Sequence, residues 1–349
     1  MSTTDFPLYS ETLRKNIVPA LVGAGICLFF QHSGFFSLFF LVPLGVVAYR
    51  YNYRVAWGTF LIAVLGNVFF ALVTAAFRAV PLTEAVWDIL YFAVMALLFT
   101  WVIAPPPGFT ARVSGSIRLM IGSCLGALLF TGIFFRMMAS PDFSGYLNSA
   151  INTLVSLYRS SGSDVVQNAL LDSLSADMIL NAMKSIMLRG GSLVSCVLLF
   201  FICRQISLAI VRLFMRRAKV QAAGSLMGFH VYPVIIWVLS VSLLLVVVVK
   251  AAKLEIPEII LWNILVFCVI LYLAQGLGIL QFFFVRPSMP PFLRLILLIL
   301  FFVLLFSPGI NAVLLGGVVL LGIAENWVPF RAPKTNGQTS TPESGGGGN

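Results

Sequence analysis

The sequence predicts an all-α protein: a polytopic transmembrane helical bundle of about eight to ten membrane-spanning helices with an amphipathic extracytoplasmic helical segment. Three observations predict it. Apolar runs recur almost end to end, and Val55–Phe77, Ile117–Met138, Gly191–Phe214 and Ile256–Val285 reach the roughly 20 residues that a helix needs to cross a bilayer core. The composition lies outside the soluble range: of 349 residues, 60% are hydrophobic and 10% charged, with a mean hydropathy of +1.02. Arg and Lys gather in alternate gaps between the runs, as in the cytoplasmic loops of membrane proteins.

In chain order, spans are expected at Asn16–Phe30, Gly34–Ala48, Val55–Phe77, Ala85–Ala104, Ile117–Met138, Gly191–Phe214, Val231–Val249 and Ile256–Val285. The first two are short and are expected to form a tight pair around Gln31-His32-Ser33. Leu13-Arg14-Lys15 leads into the first run without a small-residue cleavage site, so that helix is expected to stay as an anchor. The final stretch, Phe292–Phe306 and Gly309–Ile323, is interrupted by Ser307-Pro308-Gly309, a helix-breaking combination. It forms either two short crossings or one long kinked helix.

Orientation follows from the basic residues. One set of gaps holds Arg14 and Lys15, Arg50 and Arg54, Arg112 and Arg118, then Arg212, Arg216, Arg217 and Lys219, then Arg286 and Arg294. The alternate gaps hold Glu84, Asp142, Asp164, Asp172, Asp177, Glu255 and Glu258, together with a smaller share of Arg and Lys. This bias predicts a multi-pass protein of the cell inner (cytoplasmic) membrane with a cytoplasmic N-terminus. Arg331 and Lys334 favour a cytoplasmic C-terminus too. An even number of crossings satisfies both ends and favours two short final helices.

Between Ala139 and Gly190 the chain turns polar. Leu147, Ile151, Leu154, Val155 and Tyr158 repeat on one helical face. Ser160-Ser161-Gly162-Ser163-Asp164 reads as a turn with an N-cap before a second amphipathic segment ending near Arg189. These helices either lie on the membrane surface or cap an outward-facing cavity. The predicted organisation is therefore residues 1–138 as N-terminal membrane helices, 139–190 as extracytoplasmic amphipathic helices, 191–334 as C-terminal membrane helices and 335–349 as a disordered tail rich in Ser, Thr, Gly and Pro.

The formal charge of +10 is assigned to loops facing anionic headgroups of the lipid bilayer, and no nucleic acid is expected as a partner. The five cysteines all fall inside apolar runs without a CxxC pair, which points to packing and to no metal or cofactor. His32 and His230, the only histidines, lack Asp, Glu or Cys at ligand spacing. P-loop, HExxH and GxSxG motifs are absent, so no enzyme and no catalytic residue is expected.

Polar residues at membrane depth are the better leads, because they are expensive there. Asn67, Asp88, Asn263, Gln275 and Glu325 are the candidates, with solvation the plainer reading for Asp88 and Glu325 near span ends. Asn263 and Gln275 share one predicted helix, about 120° apart around its axis, and each serves either a ligand or a neighbouring helix. Arg136 and Arg204 are expected to snorkel to headgroups. Small-residue spacing marks helix contacts at Ala20 and Ala24 on the first helix and at Gly122 and Gly126 on the fifth.

Asn263, Leu273-Ala274-Gln275-Gly276-Leu277, Arg294, Gly316, Gly317, Gly322, Asn326-Trp327 and Phe330-Arg331 form a pattern that resembles the YybS-like family of bacterial integral membrane proteins, which carry a domain of unknown function. Val42-Pro43-Leu44-Gly45 before Tyr49-Arg50-Tyr51, and Phe229, Tyr232-Pro233 and Trp237, are similar to its earlier helices. Arg189-Gly190-Gly191 departs from the proline-containing helix start of the pattern. The resemblance implies N-terminal helices similar to the substrate-binding subunits of energy-coupling-factor vitamin transporters, where an AxxxA step on the first helix docks onto a coupling protein. Ala20 and Ala24 match that step in position. The expected function is a non-enzymatic, transporter-like substrate-binding subunit, with a membrane protein partner at the Ala20/Ala24 face and no small-molecule ligand specified. The alternative is a structural or regulatory membrane protein that binds a protein partner without transport.

Overall fold

Apolar sequence in a bilayer must satisfy its own backbone hydrogen bonds, and helices do so within one segment. In the computed structural model, which describes residues 6–78, 82–108, 113, 115–139, 141–160, 176–214, 226–285 and 289–331, every regular element is a helix. The elements are α1 (Phe6–His32), a 3-10 turn (Gly34–Phe39), α2 (Leu41–Arg50), α3 (Tyr53–Arg78), α4 (Leu82–Ile103), α5 (Gly115–Met138) and α6 (Pro141–Ser160). There follow α7 (Ala176–Ile186), a π-helical turn (Met187–Gly191), α8 (Ser192–Phe214), a 3-10 turn (Leu226–Gly228), α9 (Val234–Ala251), α10 (Glu255–Val285), α11 (Pro291–Phe306) and α12 (Ile310–Ala324). Arg112, Arg216, Arg217, Lys219, Arg286, Lys334, the Ser161–Asp164 part of the expected turn and the 335–349 tail lie outside the described residues.

Among the described residues, six helices are long and apolar enough to cross a membrane. The larger expected count included segments of another kind. Asn16–His32 and Phe36–Arg50 are shorter apolar helices, and α11 and α12 meet at a bend of 119°. Gly309 takes φ +83 at that bend, so the pair is either one broken span or a re-entrant loop. α1 begins at Phe6, ahead of the expected Asn16, and α2 begins at Leu41, after the expected Gly34; the other predicted span boundaries fall within about three residues of the observed ones.

The chain divides into two compact units, Met1–Gly224 with Ser240–Phe267, and Ser225–Leu239 with Cys268–Asn349. In the first, α2 is the hub. It packs on α1, α3, α4 and α8, while α4 and α8 both pack on α5. Its ten residues span only about 15 Å, and Leu41 through Gly45 and Val47 are buried. A helix that is apolar all round belongs inside. A side chain on Gly45 would collide with Ser207 of α8, so glycine sets that close approach.

Breaking a helix in an apolar interior leaves carbonyls to satisfy, and the cysteines and a serine do so. The Cys27 thiol donates to Phe40 O at 3.1 Å and the Cys203 thiol to Leu38 O at 3.6 Å. The Ser207 hydroxyl reaches Val42 O at 3.0 Å and Cys203 O at 2.7 Å. These thiols pack as small buried groups and also act as weak donors.

The second unit is held by glycines at a crossing of α10 and α12. A Cβ on Gly276 would collide with the Val318 carbonyl, and one on Gly322 with the Tyr272 carbonyl. The two backbones touch directly there, as small residues permit in membranes.

Candidate functional site

One end of the first unit is built from helix termini. α2 stops at Arg50, and the Asn52 side chain then caps α3, its Oδ1 accepting from Val55 N at 3.0 Å. Pro105-Pro106-Pro107 ends α4, and the Trp57 indole pins that end by donating to Ala104 O at 3.0 Å. Between these ends lies a cleft of about 160 Å³. Tyr49 of α2 lines it with Val102 and Ile103 of α4, the α5 N-terminus at Gly115 and Ser116, and the guanidinium groups of Arg118 and Arg204.

Arg204 is 8% exposed, and its Nε donates to the Tyr49 hydroxyl at 3.2 Å. It therefore does not snorkel to the membrane surface. Arg204 stands ten residues before Phe214, about 15 Å along the helix, which is far for a side chain to reach out and easy for one to turn inward. Arg136, at the far end of α5, is exposed as expected. Arg118 presents two buried donors, Nε and Nη1, without a hydrogen-bond partner. Among the described residues, no acidic side chain lines the cleft.

The polar residues singled out by sequence lie apart from one another. Asn67 is fully buried on α3; its Oδ1 faces His32 Nε2 at 3.1 Å and its Nδ2 is unpartnered. The His32 ring lies tilted against Phe70, with ring centroids 3.8 Å apart. Asn263 donates from Nδ2 to Leu188 O at 2.6 Å and to Ile259 O at 2.8 Å. It braces the π-helical turn, where Gly190 takes φ +109 and Arg189 pairs with Glu258 at 3.1 Å. Gln275 is 2% exposed, accepts from Val231 N at 2.7 Å and donates to Gly322 O at 3.0 Å. None of the three lines the cleft.

The small-residue positions face other helices of the same chain. Ala20 and Ala24 are buried at 4% and 1%, and a Cβ on the intervening Gly23 would meet Val47 of α2 and Thr59 of α3. The face that the resemblance offers to a coupling partner is thus occupied from within. A Cβ on Gly122 would lie 2.7 Å from Val102 of α4 and 3.5 Å from Phe200 of α8. One on Gly126 would lie 3.3 Å from Met95 and 3.7 Å from Cys196.

A second polar cluster corrects the expectation for Glu325. Its side chain is 3% exposed and is clamped by Arg331, itself 6% exposed, through Nε at 2.6 Å and through a close Nη2 contact. Arg331 also donates to Met227 O at 2.7 Å and Phe229 O at 2.9 Å, which binds the 226–229 turn to the end of α12. Asp88, by contrast, is exposed, with Gln31 Nε2 at 3.4 Å from its carboxylate. Among the described residues no three His, Cys, Asp or Glu side chains converge as metal ligands would.

A family model described as Predicted membrane protein (DUF2232) matches residues 24–319. No curated protein and no solved structure matches the chain.

Proposed function

Because the chain belongs to this family of predicted membrane proteins, DUF2232, we propose that it is a non-enzymatic, multi-pass protein of the inner membrane that works by binding a protein partner, without transport. The single observation that carries this reading is where the polar and small residues of the helices are spent. Ala20 and Ala24 are covered by α2 and α3, and Asn263 and Gln275 bond to backbone of their own unit. A transported solute calls for polar side chains converging near the bilayer midplane, whereas a packed interior suits a structural or regulatory protein. The basic loops support a cytoplasmic position for both termini, and the 119° bend between α11 and α12 is compatible with it.

Replacing Ala20 and Ala24 together by Leu tests the reading. Overpacking of this kind costs about 1–3 kcal/mol. The purified double variant is expected to melt at lower temperature than the wild type with no other protein present. The transporter-like alternative expects the reverse: a variant as stable as the wild type that no longer retains a coupling protein on mild detergent extraction. That result would overturn the proposal.

A further inference from the structure

We propose that the groove between the ends of α2 and α8 binds one anionic phospholipid of the membrane, with an acyl chain against the groove walls and the phosphate at Arg50. This goes beyond the reading above, which assigns the protein no lipid site. The two helices pack on each other and leave a cavity of about 290 Å³, lined by Val46 and Arg50 of α2 and by Ile210, Val211 and Phe214 of α8. Arg50 and Phe214 are the last residues of their helices, so the groove runs along both final turns. Its lining is aliphatic and aromatic apart from Arg50.

The groups along the groove follow the order of groups in a phospholipid. From Val46 to Arg50 the helix rises about 6 Å, from an apolar wall to an exposed arginine at the terminus. A free phosphate gains nothing from Val46, Ile210 or Phe214, whereas an acyl chain packs on them. An apolar cavity of roughly 150 Å³ holds a benzene molecule, so this larger one takes the upper part of a chain whose remainder stays in the bilayer. Arg50 lies over the Tyr51 ring, its Cζ 5.3 Å from the centroid, and Arg54 over the Tyr53 ring at 5.8 Å. Tyrosines at helix ends mark headgroup depth. Stacking occupies the face of a guanidinium and leaves its edge N–H groups, the ones that fit phosphate oxygens.

The charge at this end favours an anionic headgroup. Arg50, Arg54 and Arg212, at the ends of α2, α3 and α8, are exposed. Between Glu11 and Glu84 the sequence holds no acidic residue, nor between Asp88 and Asp142, nor between Asp177 and Glu255. The chain that leaves α2, that joins α4 to α5 and that follows α8 therefore carries arginine or lysine and no acidic side chain, whatever path it takes. Asp5 and Glu11, ahead of the first span, are matched in number by Arg14 and Lys15. The complementarity thus belongs to the whole end of the unit and not to one guanidinium. Clustered basic residues at a membrane surface attract anionic headgroups in general; the groove adds a fixed position for one of them.

Native mass spectrometry of the full chain, released from nanodiscs holding equal amounts of phosphatidylglycerol and phosphatidylcholine, tests the proposal. The wild type is expected to retain one phosphatidylglycerol in preference to phosphatidylcholine. Arg50→Gln is expected to weaken that retention by about tenfold to a hundredfold, as the loss of a charge-assisted hydrogen bond does. Arg54→Gln, at the same end but outside the groove, is expected to weaken it by no more than about fivefold, the general effect of one surface charge. Val46→Phe and Ile210→Phe keep every charge and fill the groove from either wall, so each is expected to lose the bound lipid; the arginine pair decides the matter if neither folds. No preference for phosphatidylglycerol, equal losses in Arg50→Gln and Arg54→Gln, or full retention by a folded groove-filling variant would each overturn the proposal. So would displacement of the lipid by glycerol 3-phosphate, which has no chain to place in the groove.

Discussion

Gln275 uses both ends of its amide to hold backbone of other segments. It accepts from Val231 N and donates to Gly322 O, partners 44 and 47 residues away. Replacing it by Leu removes both bonds and leaves the buried Val231 N–H unpaired, a loss of about 1–3 kcal/mol. Gln275→Leu is expected to lower the thermal midpoint in detergent; an unaltered melting curve would remove the structural role. That a polar group at this depth is important was legible from the sequence, since a helix interior in lipid tolerates it only when satisfied. Its partners were not, because the helical period orders only near neighbours. The same blindness affected Arg204 and Glu325. Each was expected to reach water or headgroups, and each instead turns inward, Arg204 to Tyr49 and Glu325 to Arg331.

Helices of this protein meet where glycine lets backbones touch. Gly276 on α10 and Gly322 on α12 face each other's helix across one crossing, each against a carbonyl. Gly276→Ala is the smallest change that separates the two, and with backbone rather than a flexible side chain in the way, a cost of about 1–3 kcal/mol is expected. Differential scanning of detergent-solubilised protein checks it; stability equal to wild type would show that the crossing yields without cost. Adjacent residues share the work at this crossing: Gln275 bonds across it and Gly276 permits it. Helix bounds were largely legible, α3, α5, α10 and α11 lying within two residues of their predicted starts and ends. The short second span was less so. Gly34–Ala48 reads as a single run, yet it divides into a 3-10 turn and a ten-residue α2, a break that is stable because Cys27, Cys203 and Ser207 from other helices satisfy its carbonyls.

The placement of the whole chain in the membrane gives the remaining prediction. On the proposed orientation, with the basic loops cytoplasmic, a cysteine introduced at Ser340 is expected to be protected from an impermeant thiol reagent in intact cells. One at Ser161 is expected to react, and the native cysteines, four of them buried, should give little background. Labelling of Ser340 from outside would reverse the assignment of the C-terminus. At this scale the sequence by itself determined that the protein is a bundle of apolar helices and nearly where each begins and ends, because hydrophobic length and backbone hydrogen bonding are properties of one segment. The tertiary structure decided which segments lie inside and what their polar groups do. It set α2 at the centre of the first unit, covered the Ala20/Ala24 face, and brought Arg118 beside Arg204 although 85 positions of chain lie between them. Those outcomes depend on close approach between distant segments, where a single missing Cβ or one buried donor selects the neighbour, and hydropathy carries no record of either.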